Sequence, residues 1–174
     1  MFSSGEEGVY IEWNTTKGFI IGKDMKKRVQ AVEALLNRFR AHSEELGIKT
    51  LKLNPNTEIY GDDMPALVLT SGVDVIVKES NHSARGLPMI RDFTIVAELM
   101  VNRQETDVDL VKQLCLMRDI VFNEPYPISL DNGKPDRTTY FREVSTDGPF
   151  SYRVAYIEGV KLIIGLRYED TGSY

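Results

Sequence analysis

Cysteine is nearly absent from this sequence. A single Cys115 among 174 residues excludes an intrachain disulfide framework and any multi-cysteine metal site. Placed beside Leu114 on a helix face, that cysteine is expected to be a small buried apolar residue. Histidine is almost as scarce, with only His42 and His82. Neither has a His or Cys partner at ligand spacing, so no zinc site is expected and both read as solvated or interface histidines. Long hydrophobic runs are missing too. No stretch is apolar for long enough to span a bilayer, and Met1-Phe2-Ser3-Ser4-Gly5-Glu6-Glu7 lacks the basic and apolar regions of a signal peptide. The expectation is a chain made in the cytosol and used there, or assembled there into something larger, with no membrane partner. Positive charge is in deficit. Against 26 acidic residues stand 21 Lys and Arg, a net charge of -5, which argues against general nucleic-acid affinity. Lys26-Lys27-Arg28 is a local basic cluster.

The motifs of common chemistries are also missing. There is no Gly-x-Ser-x-Gly, no Walker-type phosphate loop and no Gly-x-Gly-x-x-Gly. Gly18 and Gly22 bracket a strand-like Phe19-Ile20-Ile21 and not a phosphate cradle. Ser43 and Ser71 have no base near in sequence. Asp62-Asp63 offers two carboxylates of the kind calcium uses, but no EF-hand spacing follows and the stretch reads as a turn. Asp107 and Asp109 read as partners of a helix dipole, not as an acid–base pair. No catalytic residue, cofactor-binding residue or metal ligand is expected.

What the sequence does contain is a sheet-and-helix pattern. With 42% hydrophobic and 27% charged residues it has the composition of a globular protein with a core. The chain is organised around Asp92-Phe93-Thr94-Ile95-Val96-Ala97-Glu98-Leu99-Met100-Val101-Asn102, which reads as one long strand. Phe93, Ile95, Ala97, Leu99 and Val101 share one face, while Asp92, Thr94, Glu98 and Asn102 make the other mainly polar. One face on a core and one partly solvated or at an interface is the pattern of an antiparallel sheet. An amphipathic helix follows, capped by Thr106 or Asp107 and running through Val108, Val111, Leu114, Met117 and Val121. An earlier helix starts with Asp24 as N-cap, carries Met25, Val29, Val32, Leu36, Phe39 and Leu46 as its stripe, and stops at Gly47.

Shorter strands fill the rest. They are expected at 48–53, 66–70, 73–78 and 138–144, with 160–168 closing the sheet and 152–158 pairing near it. Residues 79–88 read as an exposed loop, and Asp147-Gly148-Pro149 as a turn. At the start, Val9-Tyr10-Ile11-Glu12-Trp13 and Phe19-Ile20-Ile21 flank a turn with Gly18, a hairpin signal. Tyr10, Trp13 and Phe19 are therefore either interface anchors or a cover for the domain's own core. The expected fold is α+β: an antiparallel or mixed sheet with two α-helices packed on one face. The expected division is an N-terminal arm over residues 1–22, carrying the hairpin as an interface extension, and one domain over 23–174.

This pattern resembles a family. A helix ends near a glycine and a loop with Pro65 precedes Ala66-Leu67-Val68-Leu69. The long strand Asp92-Phe93-Thr94-Ile95-Val96-Ala97-Glu98-Leu99 comes next, then a helix, then a strand ending Leu166-Arg167-Tyr168-Glu169. Over about residues 24–170 this resembles the tail terminator proteins of tailed bacteriophages, the lambda minor-tail-protein-U type, by element order and short strand patterns. The hairpin at 9–22 is a departure from the short members, and 124–158 is longer. The resemblance implies a structural virion protein with no reaction and no cofactor: a homo-hexameric ring that caps the tail tube, stops its polymerisation and joins the tail to a head-side connector or neck protein. It also implies a place at the head-proximal end of the tail, assembly in the host cytoplasm, contact with a sheath protein where the tail is contractile, and DNA passing through without specific binding. The loop at 79–89, with His82, Arg85 and Met89, is then expected to contact neighbouring layers. A head-closure or neck adaptor is the alternative within the same class.

Overall fold

The computed structural model describes residues 26–78, 89–154 and 156–170, together with the backbone path of residues 10–13. The fold is α+β. Six strands form one mixed sheet: β1 (Tyr10–Trp13), β2 (Thr50–Leu53), β3 (Ala66–Lys78), β4 (Met89–Asn102), β5 (Tyr140–Ser151) and β6 (Ile157–Asp170). Their order across the sheet is β1-β2-β3-β4-β6-β5. β1, β2 and β3 are parallel, and every other pairing is antiparallel. The long strand is therefore interior to the sheet as well as central to the sequence pattern. β4 pairs with β3 on one side and along its whole length with β6 on the other, Met89 opposite Asp170 and Asn102 opposite Ile157. It begins three residues earlier than the sequence suggests. Met89, expected in the loop, is a half-buried strand residue, because β6 is long enough to pair with it.

Alternation decides the layers. Phe93, Ile95, Ala97, Leu99 and Val101 are buried along β4, and the β6 partners of the first four, Leu166, Ile164, Leu162 and Val160, are buried with them. Two helices cover this face. α1 (Lys26–Ala41) contributes Ala31, Val32, Leu35, Leu36 and Phe39, and α3 (Leu110–Phe122) contributes Leu110, Leu114, Met117, Ile120 and Val121. All belong to one apolar core. No helix covers the other face among the described residues, which fits the polar alternate positions Thr94, Glu98 and Asn102.

The helix boundaries differ from expectation for local reasons. The first helix breaks at His42 and resumes as one turn, α2 (Ser43–Leu46), before Gly47 ends it at φ +67°, the left-handed C-terminal position anticipated for that glycine. The second helix is capped by Asp109, whose carboxylate accepts from the backbone N–H of Val111 and Lys112. Asp109 satisfies two otherwise orphaned donors, so the helix starts there and not at Thr106 or Asp107. The buried stripe runs through Leu110, Leu114, Met117 and Val121, while Val111 is 53% exposed and Cys115 is exposed, against the expectation of a buried thiol. The two runs at 66–70 and 73–78 are a single strand, β3, with a register shift between Ser71 and Asp74. β5 continues through the expected Asp147-Gly148-Pro149 turn to Ser151, again by register shifts. The stretch at 152–156 connects β5 to β6.

Tyr10–Trp13 is a strand and adds to the edge of this sheet beside β2. The Phe19-Ile20-Ile21 half of the anticipated hairpin and the Asp24 cap lie outside the described residues. Among the described residues no helix is long and apolar enough to cross a membrane.

Candidate interaction surface

The strand axis gives the molecule two ends. α1 and β4 run away from the first end, where Lys27 and Arg28 meet the far half of β3 and the 123–139 connection. Arg28 Nη1 lies 2.8 Å from Asp74 Oδ2, and Lys27 Nζ lies 3.2 Å from Asp136 Oδ2. At the second end the backbone N–H of Arg103 donates to the carbonyl of Tyr156 at 2.6 Å. A Cβ on Gly61 would sit 3.1 Å from Asn102 Nδ2, so the 3₁₀ turn Gly61–Asp63 closes against the same place.

The first end is locked by a polar knot on the core side. Asp74 Oδ2 accepts from Arg28 and, at 2.5 Å, from the Tyr168 hydroxyl. Arg91 donates to Asp170 at 2.7 Å, and the Arg28 guanidinium stacks 4.7 Å from the centre of the Phe93 ring. Burial, reinforced by the bond to the Asp74 carboxylate, pushes the Tyr168 hydroxyl well above its usual range. Tyr168 therefore stays a donor, and the knot ties α1 to β3, β4 and β6. Asp136 does the same for the connection. It accepts from the Thr138 backbone and hydroxyl and from Thr139. Burial alone would raise its pKa, but Thr138 and Lys27 outweigh it and hold the carboxyl below the ordinary value.

The uncovered sheet face carries its own charges. Arg167 donates to both oxygens of Asp92, at 3.0 and 2.9 Å, and Arg142 adds a third bond at 2.7 Å. Burial opposes the Asp92 charge, yet the two guanidiniums win and its pKa is lowered. Nearer the second end, Tyr152 donates its hydroxyl to Glu98, whose pKa is raised by burial despite the nearby Lys161. These groups cross-link β4, β5 and β6 and leave no unpaired carboxylate cluster of the kind a metal requires. Among the described residues no group of three His, Cys, Asp or Glu is placed to hold an ion. Asp63 accepts from the backbone N–H of Tyr60, and His42 sits 3.1 Å from Glu45.

A shallow cleft of about 380 Å³ opens between the end of α3 and β5, lined by Phe122, Pro125 and Phe141. Arg118 and Glu143 also line it, joined by two bonds of 2.8 Å. An ion pair already satisfied in this way offers a ligand little.

The exposed apolar side chains say more. At the first end β3 outruns its neighbour: β2 pairs only with Ala66–Leu69, and the Asn54 side chain closes the ladder at Ser71. Beyond it stand Val73 at 67%, Val75 at 48%, Ile76 at 44% and Val77 at 42% exposure. An apolar edge of this length is a template for association unless something covers it. At the second end Tyr60, Val154 and Tyr156 are 64%, 64% and 59% exposed. Tyr156 also holds φ +74°, a left-handed conformation that costs a β-carbon residue energy.

The residues singled out from sequence are not gathered into one site. Tyr10 and Trp13 belong to the edge strand β1. Met89 opens β4, two strands farther in than β2. Phe19, His82 and Arg85 lie outside the described residues. The apolar ends were missed. Val73-Asp74-Val75-Ile76-Val77 is legible as a strand, but only the shortness of β2 shows that no described strand pairs with its outer side. No protein-family model matches the sequence, and a comparison with curated protein sequences returns no match.

Proposed function

We propose that this chain is a structural assembly protein that forms a closed ring at the end of a tail tube in a tailed-phage particle, ending tube growth and meeting the head-side connector on its other face. The observation that carries this reading is the placement of exposed apolar side chains at the two opposite ends of a sheet whose interior is fully packed. Such a chain has a settled core and two surfaces that association would cover. Two ends that differ make a heterologous contact, and heterologous contacts related by a closing rotation give rings. The element order, with a long β3–β4 pair between two helices, is in keeping with the tail-terminator resemblance.

The test is capping. Purified chain added to growing tail tubes is expected to stop elongation and to appear by electron microscopy as a ring of six at the tube end. Tubes that lengthen unchanged in its presence would refute the terminator role. A ring found only on the head-side connector would transfer the chain to the neck-adaptor role.

A further inference from the structure

The connection from α3 to β5 carries a reactive pair. Among the asparagines of the chain only Asn132 is followed by a glycine, Gly133. After every other asparagine the next residue carries a side chain that crowds its backbone nitrogen; after Asn132 that nitrogen is uncrowded. The fold leaves it open as well. Residues 129–135 are all exposed. They form a tight turn closed by a bridge between Ser129 and Pro135, with the Leu130 N–H donating to the Lys134 carbonyl at 2.7 Å. Gly133 holds φ +79°, and a Cβ placed on it would meet nothing within 4 Å.

Two hydrogen bonds set the chemistry of the pair. The Lys134 N–H donates to Asn132 Oδ1 at 3.0 Å. It draws electrons from the carboxamide carbon Cγ and stands where negative charge collects on Oδ1 during attack there, as oxyanion donors do. The Gly133 N–H donates to the Leu130 carbonyl at 2.9 Å. While that bond lasts, the Gly133 nitrogen keeps its proton and is turned toward Leu130. Opening it frees the nitrogen, and the core need not move, because the turn contributes no residue to it.

We propose that Asn132 is a site of spontaneous self-modification, converted to aspartate and isoaspartate by its own Gly133 backbone, with the Leu130 carbonyl as the gate. When the turn opens, hydroxide takes the Gly133 amide proton and the nitrogen attacks Asn132 Cγ. The N–Cγ bond forms, the Cγ–Nδ2 bond breaks, and Nδ2 leaves as ammonia after taking a proton from water. Water then hydrolyses the cyclic imide. Breaking the new N–Cγ bond yields aspartate; breaking the original peptide bond yields isoaspartate, whose main chain runs through Cβ and Cγ. The sum is asparagine plus water giving either acid plus ammonia, with no oxidant and no cofactor. Each product adds a carboxylate beside Asp131 to a chain that already carries a net charge of -5. Aspartate keeps an acceptor for the Lys134 N–H, whereas isoaspartate lengthens the turn and undoes its closing bonds. The disturbance stops at Asp136, which Thr138, Thr139 and Lys27 hold from the other side. The modification needs no partner and is independent of the ring reading.

Peptide mapping by mass spectrometry tests it. The full chain is held in mildly alkaline buffer made with heavy-oxygen water, once folded and once in guanidinium chloride, and digested at intervals. In both samples the Asn132 peptide is expected to lose its amide, gain one heavy oxygen and split into aspartyl and isoaspartyl forms, while the other asparagines stay intact. The folded chain should react about threefold to tenfold more slowly than the unfolded one, the factor that opening one hydrogen bond implies. Gly133→Ala, compared in guanidinium chloride where its left-handed conformation plays no part, should be nearly inert over the same interval. Ion exchange separates the product by its added charge, and its thermal midpoint should equal that of the fresh chain. An Asn132 that stays intact in the folded chain, or that reacts as fast folded as unfolded, would overturn the gated site. Earlier loss at another asparagine, or undiminished reactivity in Gly133→Ala, would overturn the role of the Gly133 nitrogen. A lowered midpoint in the product would overturn the confinement of the change to the turn.

Discussion

Leu99→Ala and Val96→Ala, three residues apart on β4, separate the two faces of the sheet by measurement. Leu99 is 1% exposed and lies between Leu67 of β3 and Val160 of β6 in register. Truncating it removes three carbons from a site whose walls cannot close in. The backbone on both sides is held by ladder hydrogen bonds, and the helices above are fixed by the rest of the core. The loss is then the transfer free energy plus most of a cavity term, about 3–4 kcal/mol within the range known for buried leucines. For a chain of this size that lowers the thermal midpoint by roughly 6–16 °C. Val96 lies on the uncovered face and is only partly buried. Losing its two methyl groups should cost about 1 kcal/mol or less, since much of their surface already meets water. Urea unfolding of both variants, with slopes compared to confirm that the unfolded state is unchanged, gives the two values directly. Equal losses at the two positions, or a larger one at Val96, would refute the assignment of core and open faces.

Asp92 couples stability to pH. Its folded pKa is lowered, so its stabilisation is complete above the ordinary carboxylate value of about 4 and is lost as pH falls through the lower folded value. Asp92→Asn should cost about 1–3 kcal/mol at pH 7, limited because Arg142 and Arg167 are 41% and 30% exposed. That deficit should shrink as unfolding is repeated at progressively lower pH; a deficit independent of pH would contradict the ion-pair account. Gly148→Ala should destabilise by about 1–3 kcal/mol, because φ is +103° and a Cβ would come within 2.8 Å of the Gly159 carbonyl. An unchanged thermal midpoint for Gly148→Ala would show that the bulged turn of β5 yields easily.

Local periodicity by itself determined the layers of this protein. The alternation along β4 separates the buried from the uncovered face, the stripe through Val32, Leu36 and Phe39 orients α1, and Gly47 marks its end. Each depends on side chains a few residues apart, which is the range over which strand and helix geometry acts. Capping was harder to read, because Thr106, Asp107 and Asp109 are all chemically able and the backbone chose the one whose carboxylate reaches two N–H groups. Cys115 faces outward because it lies beside, and not on, the stripe of Leu114, Met117 and Val121 that packs on the core. Only the tertiary structure decided strand order, the parallel addition of β1 and β2, and the early stop of β2, after which no described strand pairs with the outer side of β3. It also decided the meeting of Arg28, Asp74, Arg91 and Tyr168 from four elements, and of Gly61 with Asn102 across some forty residues. Contacts between distant segments leave no periodic trace in the chain. They follow from which strands are long enough to pair and which faces remain to be covered, and both are settled only when the whole sheet has formed.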